Sequence, residues 1–185
     1  LKNKVKDLVM NKLKLPIYKN KDHVQKELKK KNVLTIPGHI FPSPERIDPK
    51  MIKKLRRFET SVISDCCNRL GALDGKVRSL VLGRKFCGQA LTIEEVEGGN
   101  LMSHAALELA QPGDVLVIDA KGGTTRSCWG GLQTTMAKLR GVVGIVIFGS
   151  IRDYSDIVKM GMPVFALGAS PAGPLKGWSG YVNAP

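Results

Sequence analysis

Arg152 and Asp153 stand side by side just beyond an apolar run, Val142 to Phe148, and about twenty residues after Trp129-Gly130-Gly131-Leu132. Arginine supplies a cation that never titrates, and its planar fork matches a carboxylate. Aspartate supplies a hard oxygen ligand for a divalent ion. The two glycines open a helix whose first amides lack partners within the helix and can hold an anion. These residue types at this spacing describe a pocket for a small carboxylate bound beside a divalent metal. The plain alternative is a surface ion pair, with Asp153 capping the next helix and Asp156 completing a capping-box turn.

The elements that must position these residues follow from periodicity and punctuation. Thr60 or Ser61 can cap a helix running to Leu70 and ending at Gly71. Lys85 to Val96 is strand-like, with an acidic end at Glu94, Glu95 and Glu97. Gly98-Gly99-Asn100 turns into a helix carrying Leu101, His104, Ala105 and Leu109. Gln111 to Asp114 is a tight turn before the strand Val115 to Ile118. A loop from Asp119 to Ser127, a helix from Trp129 to Leu139, the strand Val142 to Phe148, a helix from Asp153 to Lys159 and a strand at Pro163 to Leu167 complete the pattern. Alternating strand and helix imply parallel pairing with crossover helices, and ligands then collect at the carboxyl ends of strands. Asp119 and Arg152-Asp153 both fall at such ends.

The 185 residues suit one domain plus an extension. No apolar stretch approaches the roughly 18 residues of a bilayer span, and the N-terminus lacks a secretory core, so a soluble cytoplasmic protein without membrane contact is expected. Cys66, Cys67, Cys87 and Cys128 form no CxxC pair; they read as buried reduced thiols, with Cys128 beside the pocket as an alternative reactive thiol. Of the net charge of +13, residues 1–60 carry +11, from 17 Lys/Arg against 6 Asp/Glu. Residues 1–55 therefore form a Lys-rich extension, with helical spacing over 1–14, a weak amphipathic helix over 21–31, a short strand over 32–37 and a basic helix from Pro49 to Phe58. Its lysines form a solvated face or attract nucleic acid or another acidic partner. Residues 56–185 form the globular domain.

The run from Gly98 to Asp119 resembles the core of the RraA-like proteins, which include class II 4-hydroxy-4-methyl-2-oxoglutarate aldolases with oxaloacetate decarboxylase activity. Trp129-Gly130-Gly131-Leu132, Gly149-Ser150-Ile151-Arg152-Asp153-Tyr154-Ser155-Asp156 and Gly161-Met162-Pro163-Val164-Phe165-Ala166 resemble the family's later blocks. The resemblance implies an α/β fold of the swivelling β/β/α type and trimeric rings with sites between subunits. It also implies a carbon–carbon lyase that releases pyruvate from short 2-oxo acids. An alternative it implies is a non-catalytic regulator that binds a ribonuclease or RNA-degradation machinery. Where members often carry a catalytic acid, this chain has Gly131. Members usually continue past Asn183 with a tail whose acidic residue reaches a neighbouring site, so a fragment, or a version lacking that residue, is expected.

The residue chemistry and the resemblance converge on roles. Asp153 is expected as the lone protein ligand to Mg²⁺ or Mn²⁺, since such ions keep several waters and take other oxygens from substrate. Arg152 steadies the charge that develops on the keto oxygen. The amides of Gly130, Gly131, Leu132 and Gln133 cradle the substrate carboxylate. Asp119 is a catalytic or water-binding candidate. Asp156 orients Arg152 or reaches the metal through water, and Asn100 and His104, four apart on one helix face, border the pocket.

Overall fold

Strands whose side chains alternate between core and surface build the scaffold. In β3 (Gln89–Glu95) residues 89, 91, 93 and 95 are buried while those between are more exposed. It runs parallel to β4 (Asp114–Asp119), β4 to β6 (Gly144–Phe148), and β6 to β8 (Val164–Ala166). Register aligns Leu91, Leu116, Ile145 and Val164 in one row, and Ile93, Ile118 and Ile147 in the next. All seven are buried, each contributing about 1.5–3 kcal/mol of apolar transfer. The computed structural model describes residues 38–175 and 179–184.

The sheet is completed by β1 (His39–Ile40), β2 (Arg78–Ser79) and β10 (Gly180–Val182), in the order β1-β10-β3-β4-β6-β8-β2. Only β10 against β3 and β2 against β8 are antiparallel. Five described helices accompany it: α1 (Pro49–Leu55), α2 (Thr60–Cys66), α3 (Leu101–Leu109), α4 (Gly131–Leu139) and α5 (Tyr154–Met160). Helix α3 packs on β3 and β10, and α4 lies against α3 and α5. None of the described helices is long and apolar enough to cross a membrane.

A second, three-stranded parallel sheet was not expected from the sequence. It joins β5 (Ser127–Trp129), β7 (Ser150–Ile151) and β9 (Gly168–Ala169), in that order. Trp129 therefore ends a strand and does not start helix α4. Two of its strands leave the large sheet through single residues: Gly149 links β6 to β7, and Leu167 links β8 to β9.

Several local expectations shift. Helix α2 stops at Cys66, because Asn68 and Arg69 enter the left-handed region, and its N-cap is Glu59. No residue of α2 is buried, so Cys66 and Cys67 are exposed free thiols; Cys87 is half-buried and only Cys128 is buried. Part of the expected extension is built into the domain: β1 pairs with β10, and Ile40 and Phe41 are buried. Arg46 also pairs with the buried Asp114. The helices and strand expected over 1–37 lie outside the described residues.

Candidate active site

The small parallel sheet brings the two motifs together. Trp129 on β5 registers with Ile151 on β7, and Arg152 N donates to Trp129 O at 2.9 Å. Whatever follows Trp129 must then lie beside whatever follows Ile151. Gly130-Gly131 and Arg152-Asp153 meet in this way, at the carboxyl ends of neighbouring strands. The third strand delivers its own continuation, since Ser170 N donates to Ile151 O at 2.8 Å.

Asp153 makes the key contact. Its Oδ2 accepts from Gly131 N at 2.9 Å, and Arg152 Nε lies 3.7 Å from the same oxygen. The Asp153 backbone is left-handed, φ 56°, which costs a non-glycine residue roughly 1 kcal/mol but is tolerated best by Asp and Asn. That turn aims the carboxylate back at α4. It makes no cap bond to α5, the helix it precedes, so the capping alternative does not describe it. A Cβ on Gly130 would sit 2.8 Å from Asp153 Oδ2 and 3.1 Å from Arg152 Cγ, so a side chain there would push the carboxylate out of this position. At Gly131 the corresponding contact, 3.4 Å to Asp153 Cβ, is ordinary.

The carboxylate at the mouth of α4 occupies one of the amides expected for a substrate. Gly131 N is engaged by Asp153, while Leu132 and Gln133 occupy the next two positions of the first turn. Leu132 is exposed; Gln133 is buried, and its Nε2 meets no acceptor among the described residues. The side chains of Arg152 and Asp153 are 46% and 41% exposed, so both reach solvent and their mutual attraction is screened. Only one Asp153 oxygen accepts a hydrogen bond among the described residues. Among the described residues no three His, Cys, Asp or Glu side chains gather as a metal cage. A half-exposed single carboxylate fits an ion that keeps most of its water, as Mg²⁺ and Mn²⁺ do.

Other expected residues have partners of their own. Lys121 takes both oxygens of Asp119, through its amide and its ammonium at 2.8 Å each, and also pairs with Glu94 at 2.9 Å. Asp119 lines a cleft of about 610 Å³ with Leu73, Val77, Val117, Val146 and Phe148, whose walls include none of Gly130, Gly131, Arg152 or Asp153. Asp156 lies 3.7 Å from Lys159 and is exposed. Asn100 precedes α3, and its Nδ2 lies 3.4 Å from His104 Nε2; burial lowers the His104 pKa from its ordinary value.

Glu95 was passed over as part of an acidic strand end. It is 1% exposed, accepts from Ser103 N at 2.6 Å, and burial pushes its carboxyl up to about 7 despite that bond. The alternation of Leu91, Ile93 and Glu95 was the signal for its inward face. Burial, with Glu95 nearby, pushes the Cys128 thiol up to about 12. The reactive-thiol alternative fails on that ground, because the thiolate is the nucleophile.

The RraA-like family, described as Aldolase/RraA, matches residues 60–185. The chain belongs to the RraA-like family. A protein of Halalkalibacterium halodurans named "Putative 4-hydroxy-4-methyl-2-oxoglutarate aldolase" is 36% identical over 134 residues, covering 72% of this chain and 64% of that relative. This RraA-like chain thus spans less than two thirds of that relative's length. Among solved structures, Streptomyces coelicolor RraAS2, described as an unusual member of the RNase ES inhibitor RraA protein family, superposes with a TM-score of 0.64. It is 29% identical, over 75% of this chain and 73% of its own. The RNA-processing inhibitor RraA from Thermus thermophilis gives a TM-score of 0.63 at 27% identity, over 69% of this chain and 77% of its own. The RraA-like α/β architecture is the shared feature.

Proposed function

We propose that this RraA-like protein is a divalent-metal-dependent carbon–carbon lyase acting on short 2-oxo acids with release of pyruvate. The substrates are of the 4-hydroxy-4-methyl-2-oxoglutarate type, oxaloacetate, or both. The observation that carries the reading is the meeting of Asp153, Arg152 and the first turn of α4 at one spot. The relative named as an aldolase lends it support. Bound Mg²⁺ or Mn²⁺ would be held by Asp153 and would withdraw electrons from the keto group. Arg152 places a permanent cation where negative charge grows on the keto oxygen as the C–C bond breaks. The α4 amides beyond Gly131, at Leu132 and Gln133, orient the substrate carboxylate. Gly130 keeps the wall thin enough for Asp153 to stay in place. We further propose that copies of the chain assemble as a homotrimer or larger ring that covers this half-exposed site; light scattering after size exclusion measures that directly.

The deciding assay is pyruvate release from oxaloacetate with Mg²⁺ or Mn²⁺. Turnover that disappears with chelator and in Asp153→Ala is the expected result. Turnover that survives Asp153→Ala would remove the reading. Two observations favour a second reading, a non-catalytic regulator of RNA processing: the similarity to RraA inhibitors and the absence of a side chain at Gly131. Metal-independent inhibition of a ribonuclease, without lyase turnover, would decide for it.

A further inference from the structure

Resting on the lyase reading, we infer that Arg126 binds the distal carboxylate of the substrate and makes the site selective for 2-oxo dicarboxylates over 2-oxo monocarboxylates. Two guanidinium groups converge on Gly173 from different elements. Arg126 Nη1 donates to Gly173 O at 3.2 Å, and Arg152 Nη1 lies 3.2 Å from where a Gly173 Cβ would stand. Standard backbone dimensions then keep the two Nη1 atoms within roughly 10 Å of each other. A four- or five-carbon 2-oxo dicarboxylate is long enough to reach across a gap no wider than that, with its keto acid end at Arg152 and its far end at Arg126.

The position of Arg126 is built. Its stem lies on Gly98, where an added Cβ would come 3.2 Å from Arg126 Cβ and 3.3 Å from Cδ. The chain on either side is tied down: Ser127 donates through N and Oγ to Ala172 O, at 2.9 and 2.8 Å, and Ser170 Oγ donates to Thr125 O at 2.8 Å. Leu175 N donates to Gly98 O at 2.6 Å, closing the frame. Arg126 has no carboxylate partner among the described residues, whereas Arg46, Lys121 and Arg140 each have one. An exposed guanidinium held in place, lacking a counter-charge and close to Arg152, is matched by an anion that already binds at Arg152. Gly173 suits the role, since a side chain there would press on the Arg152 guanidinium.

The test compares two unreactive probes by calorimetry on the full chain with Mn²⁺: 2-oxoglutarate, with a distal carboxylate, and 2-oxobutyrate, without one. Arg126→Gln is expected to weaken 2-oxoglutarate about fivefold and leave 2-oxobutyrate within about twofold, with Arg126→Lys in between. An equal loss for both probes would show that Arg126 only braces the 170–175 segment, and no loss for either would likewise overturn the assignment. Oxaloacetate kinetics separate this inference from the lyase reading. A raised KM at unchanged kcat in Arg126→Gln supports both. Wild-type turnover with an unmoved KM overturns the role of Arg126 alone. Absent wild-type turnover with intact probe discrimination overturns the lyase reading alone, and absent turnover together with failure to bind either probe overturns both.

Discussion

A carboxylic acid stripped of water but left facing one peptide N–H is pulled in opposite directions, and at Glu95 the loss of water prevails. Its carboxyl is pushed up to about 7 from an ordinary 4.5. Between those values the folded protein keeps a proton that the unfolded chain releases. Stability is therefore highest at and below the lower value and declines as pH rises through the window, by roughly 3 kcal/mol at most. Glu95→Gln keeps an acceptor for Ser103 N and has nothing to titrate. Its melting temperature should change far less than wild type between pH 5 and pH 8, and it should be the more stable protein at pH 8. An identical pH dependence in both would assign the effect to another group. Arg152→Lys keeps the charge and loses the planar fork, so turnover is expected to fall at least about tenfold. Unchanged turnover would mean that Arg152 does not touch the reacting group.

At the scale of elements, the legible parts were those long enough to show a period. Helix α3, strands β4 and β6 and helix α5 lie within a few residues of where their apolar patterns put them. Strands β5, β7 and β9 span only two or three residues each, too few for alternation to be read. Yet they position the site, which is why the motif residues were readable as types but their contacts were not. Asp153 read equally well as a cap of α5, because the left-handed turn that redirects it leaves no mark on local composition. The same short sheet separates two neighbouring glycines experimentally. Gly130→Ala displaces the half-exposed Asp153 carboxylate, and should cost less than about 1 kcal/mol in chemical denaturation yet remove turnover. Gly131→Ala meets only ordinary contacts and should fold with wild-type stability to within about 1 kcal/mol. Equal loss of turnover in the two variants would contradict the packing described.

Across the whole molecule, charge and fold are unevenly shared. Residues 1–37 hold 11 Lys and 3 acidic residues, whereas β1, which begins at His39, is already part of the large sheet. A chain starting at residue 38 should therefore keep the sheet and the proposed lyase turnover while eluting from heparin at markedly lower salt. Unchanged elution would place the anion-binding surface in the domain itself. The two sheets are joined by very short links. Gly149 and Leu167 are links of one residue, and a strand reverses its inward and outward faces with each residue added or removed. An insertion at Gly149 would turn Ser150-Ile151 over and carry Arg152 away from α4, and one at Leu167 would turn Gly168-Ala169 over and break the bond from Ser170 N to Ile151 O. Added length should therefore be tolerated better at other joints, such as residues 120–126 between β4 and β5, than at residues 149 or 167.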